Sequence, residues 1–205
     1  LSKSNINKFQ TDGYCIIKNA ISVELRDFIT QYALFDEHQN FNPDMLQVKN
    51  AHSKYADPCM ETMLLHLHKT MESNTGLELL PTYSYYRVYR NGDTLETHTD
   101  RPSCEISCTL CFNYDYKDTE WPIYMDGNPV YLKPGNLVIY KGCELEHWRN
   151  ELVYPTPVYH VQGFFHYVNA NGSYKDFKYD GRDSVGVLLK DKNNQKNSKT
   201  YIEYL

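Results

Sequence analysis

His98-Thr99-Asp100 and the later His147 are the residues best suited to chemistry. Two positions apart on extended backbone, His98 and Asp100 present their side chains to one face, so an imidazole nitrogen and a carboxylate oxygen can meet a single metal ion. His147, within Glu144-Leu145-Glu146-His147-Trp148-Arg149, offers a second imidazole from a distant segment. Two imidazoles and one carboxylate leave three adjacent positions of an octahedral Fe(II) open, enough for a bidentate keto acid and dioxygen. A His-x-Asp triplet alone is a weak signal in a chain with eight His and 26 Asp plus Glu, so the surrounding elements decide its weight.

Those elements are strands and turns. Tyr83 to Arg90 reads as a strand rich in Tyr and Val, and Asn91-Gly92-Asp93 reads as a turn that delivers the triplet to the next strand. Downstream, Lys133-Pro134-Gly135-Asn136 is a turn, Leu137 to Tyr140 a buried strand, and Lys141-Gly142-Cys143 a loop leading to His147. Strands are expected near 83–90, 95–98, 105–113, 121–125, 129–132, 137–140, 145–148 and 158–168, a pattern that suits a jelly roll or squashed barrel. Ahead of them, Ser22 caps a helix through about Phe35 with Leu25, Phe28, Ile29 and Tyr32 at helical spacing. Asp57-Pro58 opens a second helix with Met60, Leu64, Leu67 and Met71 on one face. Both read as braces for one sheet, and His66 and His68 in the second read as solvated or structural residues.

Composition agrees with one domain: 205 residues with 41% hydrophobic content can bury a single core, and nineteen Tyr with eight Phe favour strands. Residues 1–80 form a helical support, 81–168 the β core and 169–205 a polar extension. In the extension, 191–199 reads as a loop or hairpin tip and 201–205 as a late strand or frayed end. A net charge of −5 gives no footprint for nucleic acid, and no apolar run is long enough to span a bilayer. Neither a nucleic-acid nor a membrane partner is expected. The six Cys lack paired metal-ligand spacing and any leader-like segment, so buried free thiols in a cytoplasmic setting are expected.

The stretch from Tyr85 to Val168 resembles the core of the Fe(II)/2-oxoglutarate-dependent dioxygenases, and most closely their prolyl 4-hydroxylase-like branch. The likeness rests on Tyr89-Arg90-Asn91-Gly92-Asp93 before His98-Thr99-Asp100 and on Pro134-Gly135 before His147. Phe9 to Ala20 is similar to the strand that opens many such enzymes. The resemblance implies a mainly β chain with flanking helices (α+β), built on a double-stranded β-helix (jelly-roll) core braced by N-terminal helices. It implies Fe(II) held by His98, Asp100 and His147, 2-oxoglutarate as co-substrate, succinate and CO2 as co-products, and ascorbate as reductant. Asp100 favours hydroxylation, since halogenating relatives keep that position small.

In the family pattern the distal carboxylate of 2-oxoglutarate is held by an Arg or Lys about ten residues past the second His. Leu152 to Tyr159 contains neither, and matching the closing strand puts His160 at the cation's place. The family's tyrosine hydroxyl aligns near Cys111. Arg87, sharing a strand face with Tyr85 and Tyr89, is an equal candidate, Arg149 a third, and Tyr89 or Tyr85 can supply the hydroxyl. Arg101, Arg149 and Trp148 are expected to meet substrate, with Trp121 more in keeping with packing. The implied substrate is a prolyl or other residue of a peptide or protein, or a free amino acid. A rival reading is a cupin-like protein that binds a metal or small ligand without oxidising it. A zinc hydrolase on the same ligands lacks an obvious general base.

Overall fold

The computed structural model describes residues 2–44, 46–49 and 51–186. Three helices come first: α1 (Ser2–Asp12), α2 (Val23–Asn40) and α3 (Pro58–Thr75), with strands β1 (Tyr14–Ile17) and β2 (His52–Tyr55) between them. Then follow β3 (Leu79–Tyr89), β4 (Leu95–His98), β5 (Ile106–Tyr114), β6 (Ile123–Met125), β7 (Asn128–Val130), β8 (Leu137–Lys141), β9 (His147–Arg149) and β10 (His160–Asn169). The strands form two antiparallel sheets, a six-stranded one in the order β1-β8-β5-β10-β3-β2 and a four-stranded one in the order β4-β9-β6-β7. The fold is therefore mixed, with helices flanking antiparallel sheets.

Both expected helix starts are present. The Ser22 hydroxyl accepts from Leu25 N at 3.3 Å, and Asp57 accepts from Cys59 N and Met60 N at 3.0 and 3.3 Å, satisfying amide groups that a first turn leaves open. α2 runs on to Asn40, past the expected end, and α1 and β2 add elements that pattern alone did not suggest. Residues 191–199 and 201–205 lie outside the described residues.

Alternation along β3 separates two layers. Ser84 and Tyr86 face the helices, where Glu61 of α3 accepts from Ser84 N and Oγ and Asp36 of α2 accepts from the Tyr86 hydroxyl. Tyr83, Tyr85 and Arg87 face the opposite way, into a cavity. β10 runs between β3 and β5, so both of its edges are hydrogen-bonded, and it is buried from His160 to Val168. Its inward residues pair in register with those of β3: His160 with Tyr89, Gln162 with Arg87, Phe164 with Tyr85 and His166 with Tyr83. Cys111, Ile123, Met125, Val138 and Tyr140 pack the two sheets together. No described helix is long and apolar enough to cross a membrane. All six cysteines are free thiols, with Cys108 and Cys111 buried in β5.

Candidate metal centre

β4 and β9 are neighbours in the small sheet, and their register sets His98 directly opposite His147. The two rings lie 4.3 Å apart between centroids. Asp100 follows in the irregular segment after β4, tied by its backbone N–H to Gly142 O at 2.8 Å. Its Oδ1 is 3.8 Å from His98 Nε2 and 3.6 Å from His147 Nε2. One ligand atom from each of the three residues lies within 4.8 Å of the other two.

The tautomers suit ligation. His98 Nδ1 is 2.8 Å from Glu96 O, and His147 Nδ1 is 2.9 Å from Leu145 O. A carbonyl only accepts, so each Nδ1 carries a proton, and each Nε2, turned toward Asp100, is the nitrogen left for a metal. Burial, and after it the neighbouring His147, lowers the His98 pKa and favours the neutral, ligating form. For Asp100, burial opposes ionisation, but His147 and the other imidazoles outweigh it and hold the carboxyl below its usual value.

Gly142 makes this packing feasible. A Cβ there would sit 2.5 Å from Asp100 Oδ2 and would also collide with the Cys104 carbonyl, so only glycine lets the loop approach the carboxylate. Gln47 comes from the other side: its Nε2 is 3.3 Å from His98 Nε2 and its Oε1 accepts from Arg87 Nη2 at 2.9 Å. Neither residue was singled out from the sequence, because each acts through a long-range contact that no local pattern records.

The sequence-predicted site residues fall into three places. His98, Asp100, His147, Tyr85, Arg87 and Arg101 line one cavity of about 570 Å³, together with Tyr55, Tyr83, Tyr140, Phe164 and His166. Arg87 there is paired with Asp44 and donates to the Tyr89 hydroxyl at 2.8 Å. Arg101 sits at the rim in a two-pronged pair with Asp180, at 2.6 and 2.7 Å. Arg149 and His160 are buried and do not belong to the cavity lining. His160 stacks on Tyr114 and Tyr116, and burial, then the charge of Arg149, pushes its imidazole well below the usual pKa. Trp148 points to the other face of β9 and stacks on Tyr124 at 5.1 Å, outside the cavity.

Arg149 has an unusual environment. It is 1% exposed, donates to Trp121 O at 2.8 Å and Gln162 Oε1 at 3.2 Å, and lies 4.3 Å over the Trp121 ring. Its Nε has no hydrogen-bond partner, and no carboxylate pairs with it among the described residues. A buried guanidinium without an anion is costly, and burial accordingly lowers its pKa. Two residues past His147, it shares that ligand's inward face.

No family model and no curated protein matches the sequence. Solved structures do match. A Pseudomonas putida prolyl-4-hydroxylase superposes with a TM-score of 0.62 at 17% identity, over 81% of this chain and 98% of that one. The chain shares the fold of solved 2-oxoglutarate/Fe(II) oxygenases. A Burkholderia pseudomallei oxidoreductase of the 2OG-Fe(II) oxygenase family gives 0.63 at 12% identity, over 85% of this chain and 93% of that one. EctD from S. alaskensis, solved with 2-oxoglutarate and 5-hydroxyectoine, gives 0.64 at 14% identity, over 83% and 77%.

Proposed function

We propose that this chain is an Fe(II)- and 2-oxoglutarate-dependent oxygenase that hydroxylates an unactivated C–H bond. The observation that carries the reading is the convergence of His98, Asp100 and His147, with both imidazoles anchored through Nδ1 so that Nε2 faces the carboxylate. The two sheets are read as a double-stranded β-helix whose mouth holds this triad. The donor set of two nitrogens and one oxygen fits ferrous iron and leaves room for a chelating keto acid. Bound there, iron with 2-oxoglutarate and dioxygen supplies the oxidising equivalent for hydroxylation and yields succinate and CO2.

The protein's part is to place, neutralise and exclude. His98 Nε2, His147 Nε2 and Asp100 Oδ1 hold the ion, and the Gln47 amide must leave His98 Nε2 for that to happen. Arg149 is assigned to the distal carboxylate of 2-oxoglutarate. It sits two residues along β9 from the ligand His147, a rise of about 6–7 Å and comparable to the length of a five-carbon diacid. A diacid would supply the anion that Arg149 lacks, through two parallel N–H···O bonds. Arg87 is already neutralised by Asp44, and a neutral His160 offers no charge, so both are weaker choices. Gln162, which donates to Thr109 Oγ1 at 2.5 Å and lies 2.6 Å from His160 Nε2, keeps its side chain beside Arg149. Arg87, Tyr85 and Phe164 then become cavity wall, and Arg101 with Tyr55 and Tyr83 forms the substrate rim.

A prolyl or other amino-acid substrate fits a cavity with aromatic walls and charged groups at its edge. Structural neighbours include a prolyl hydroxylase from Trichoplax adhaerens in complex with a peptide fragment and EctD with the small molecule 5-hydroxyectoine. The test is succinate release under Fe(II), 2-oxoglutarate, ascorbate and dioxygen, with a panel of prolyl peptides and free amino acids. Turnover that disappears in His98→Ala and Asp100→Ala supports the assignment. Metal and keto acid binding without any succinate favours the cupin-like binder instead.

A further inference from the structure

Asp100 faces two clusters. Its Oδ1 is turned to His98 and His147, while Oδ2 lies 3.2 Å from Ser107 Oγ. On that second side Cys104, from the 3-10 turn Pro102–Cys104, and His166, from β10, each bring a ligand atom within 4.8 Å of the other and of Asp100. Cys104 is 2% and His166 5% exposed, and His166 and Asp100 line the cavity through which an ion can arrive. Ser107 Oγ ties the group together, 3.0 Å from Cys104 O and 2.8 Å from His166 Nδ1. The segment Asp100–Cys104 and the distant strand β10 thus place a carboxylate oxygen, a thiol and an imidazole around one point.

We propose that Cys104, His166 and the Oδ2 side of Asp100 form a second cation site that takes zinc or another thiolate-preferring divalent ion, with Asp100 bridging it to the iron triad. The chemistry sorts the two ions. One sulfur, one nitrogen and one oxygen ligand with a solvent position make a four-coordinate zinc-type set, whereas two imidazoles and a carboxylate suit an octahedral ferrous ion. Ligation exchanges the thiol S–H bond for an S–metal bond and releases the proton to solvent, with no redox change. The Cys104 thiolate contributes a negative charge of its own, and the Asp100 carboxylate, shared with the triad, contributes part of a second. The ligand atoms need move inward by only about 1 Å to reach the usual 2.0–2.3 Å bonds. Occupation would draw Asp100 toward the second ion and weaken its hold on iron, so zinc acts as an inhibitor from inside the same cavity.

The probe is Co2+, whose thiolate complexes give an intense near-ultraviolet charge-transfer band that nitrogen and oxygen ligands do not. The intact chain should bind two equivalents and develop the band. Cys104→Ser should abolish the band and weaken one equivalent by at least about 100-fold, while the other remains. Cys143→Ser controls for the nearby thiol, whose Sγ lies 3.4 Å from Arg101 O, and should change nothing. His98→Ala should remove the band-free equivalent and keep the band, which separates this site from the iron reading. A single equivalent without a band overturns the second site and leaves the triad standing. A band that survives Cys104→Ser, or that vanishes with Cys143→Ser, also overturns it.

Discussion

Arg149→Met separates a structural arginine from one awaiting an anion. In the ligand-free protein the change orphans the Trp121 carbonyl, at about 1–3 kcal/mol, and removes a cation–aromatic contact worth about 1–2 kcal/mol. Gln162 Oε1 retains His160 as a partner at 2.6 Å. Against these losses, exchanging a buried, unpaired charge for an apolar side chain of similar length relieves a desolvation penalty of the order of several kcal/mol. The opposing effects nearly cancel, and the melting temperature should move by only a few degrees in either direction. Binding of 2-oxoglutarate behaves differently. Truncating one partner of a buried, hydrogen-bonded charge pair costs about 2–5 kcal/mol, or roughly 30- to 5,000-fold in Kd. Thermal melts with and without 2-oxoglutarate, alongside calorimetric titration of the iron-loaded protein, measure both quantities. A Kd within threefold of the parent, or a collapse of the ligand-free fold by more than about 4 kcal/mol, refutes the assignment of Arg149 to the keto acid.

Gly142→Ala pushes a methyl group into Asp100 Oδ2 and should weaken metal binding by about 10- to 100-fold, read by metal titration, with a stability loss of about 1–3 kcal/mol. Glu61, 1% exposed, accepts from Ser84 N, Ser84 Oγ and Gly186 N and pairs with Arg182 at 2.9 Å; Glu61→Gln should cost about 3–5 kcal/mol in urea unfolding. Burial raises the Asp93 carboxyl to about 6, so the folded state holds a proton that the unfolded chain, near 4, gives up. The stability this confers is present below about pH 4 and lost as pH rises through 6. Asp93→Asn, which keeps an acceptor for Arg90 N, should therefore gain stability over the parent at pH 7 but not at pH 4 in denaturant melts. Saturating Fe(II) at about 100 times its Kd should raise stability by about 2.7 kcal/mol, a shift that Asp100→Ala removes in the same melts.

The triad was legible because strand alternation and turn chemistry are local. Asn91-Gly92-Asp93 and Lys133-Pro134-Gly135-Asn136 mark the turns that bring His98 and His147 to adjoining strands, and Ser22 and Asp57 mark helix starts through their own side chains. Arg149 was half legible: its spacing from His147 places it on the inward face, but its lack of a carboxylate partner is a property of the packed core. β2 and α1 were not legible. His52-Ser53-Lys54-Tyr55 carries little strand pattern and becomes an edge strand only because β3 offers it a ladder from Tyr85 to Val88. α1 is polar along most of its length and is held by contacts such as Asn5 Nδ2 to Asn74 Oδ1 at 2.7 Å, which tie it to α3. Gly142, Asp44 and Gln47 reach the site across the chain, where no periodicity points.

The two buried arginines of the cavity region show how the fold divides its charge. Arg87 stands near enough to make Arg149 harder to keep charged, while Arg87 itself is held charged by its neighbours Tyr89, Tyr85 and Asp44. Asp44 settles one of them: it pairs with Arg87 while its Oδ1 accepts from Leu46 N and Gln47 N at 2.9 and 3.1 Å, so one carboxylate both folds the loop and neutralises the cation. That loop in turn carries Gln47 to the metal-facing nitrogen of His98. Arg149 has no such partner among the described residues, and on the proposed reading a permanent carboxylate beside it would occupy the place the keto acid needs. The fold therefore keeps its fixed anion at the loop and leaves its second cation uncompensated on the strand that holds His147. If Arg149 takes the keto acid as proposed, the anion that closes this charge arrives as co-substrate and leaves as succinate, so the cation is compensated only during turnover.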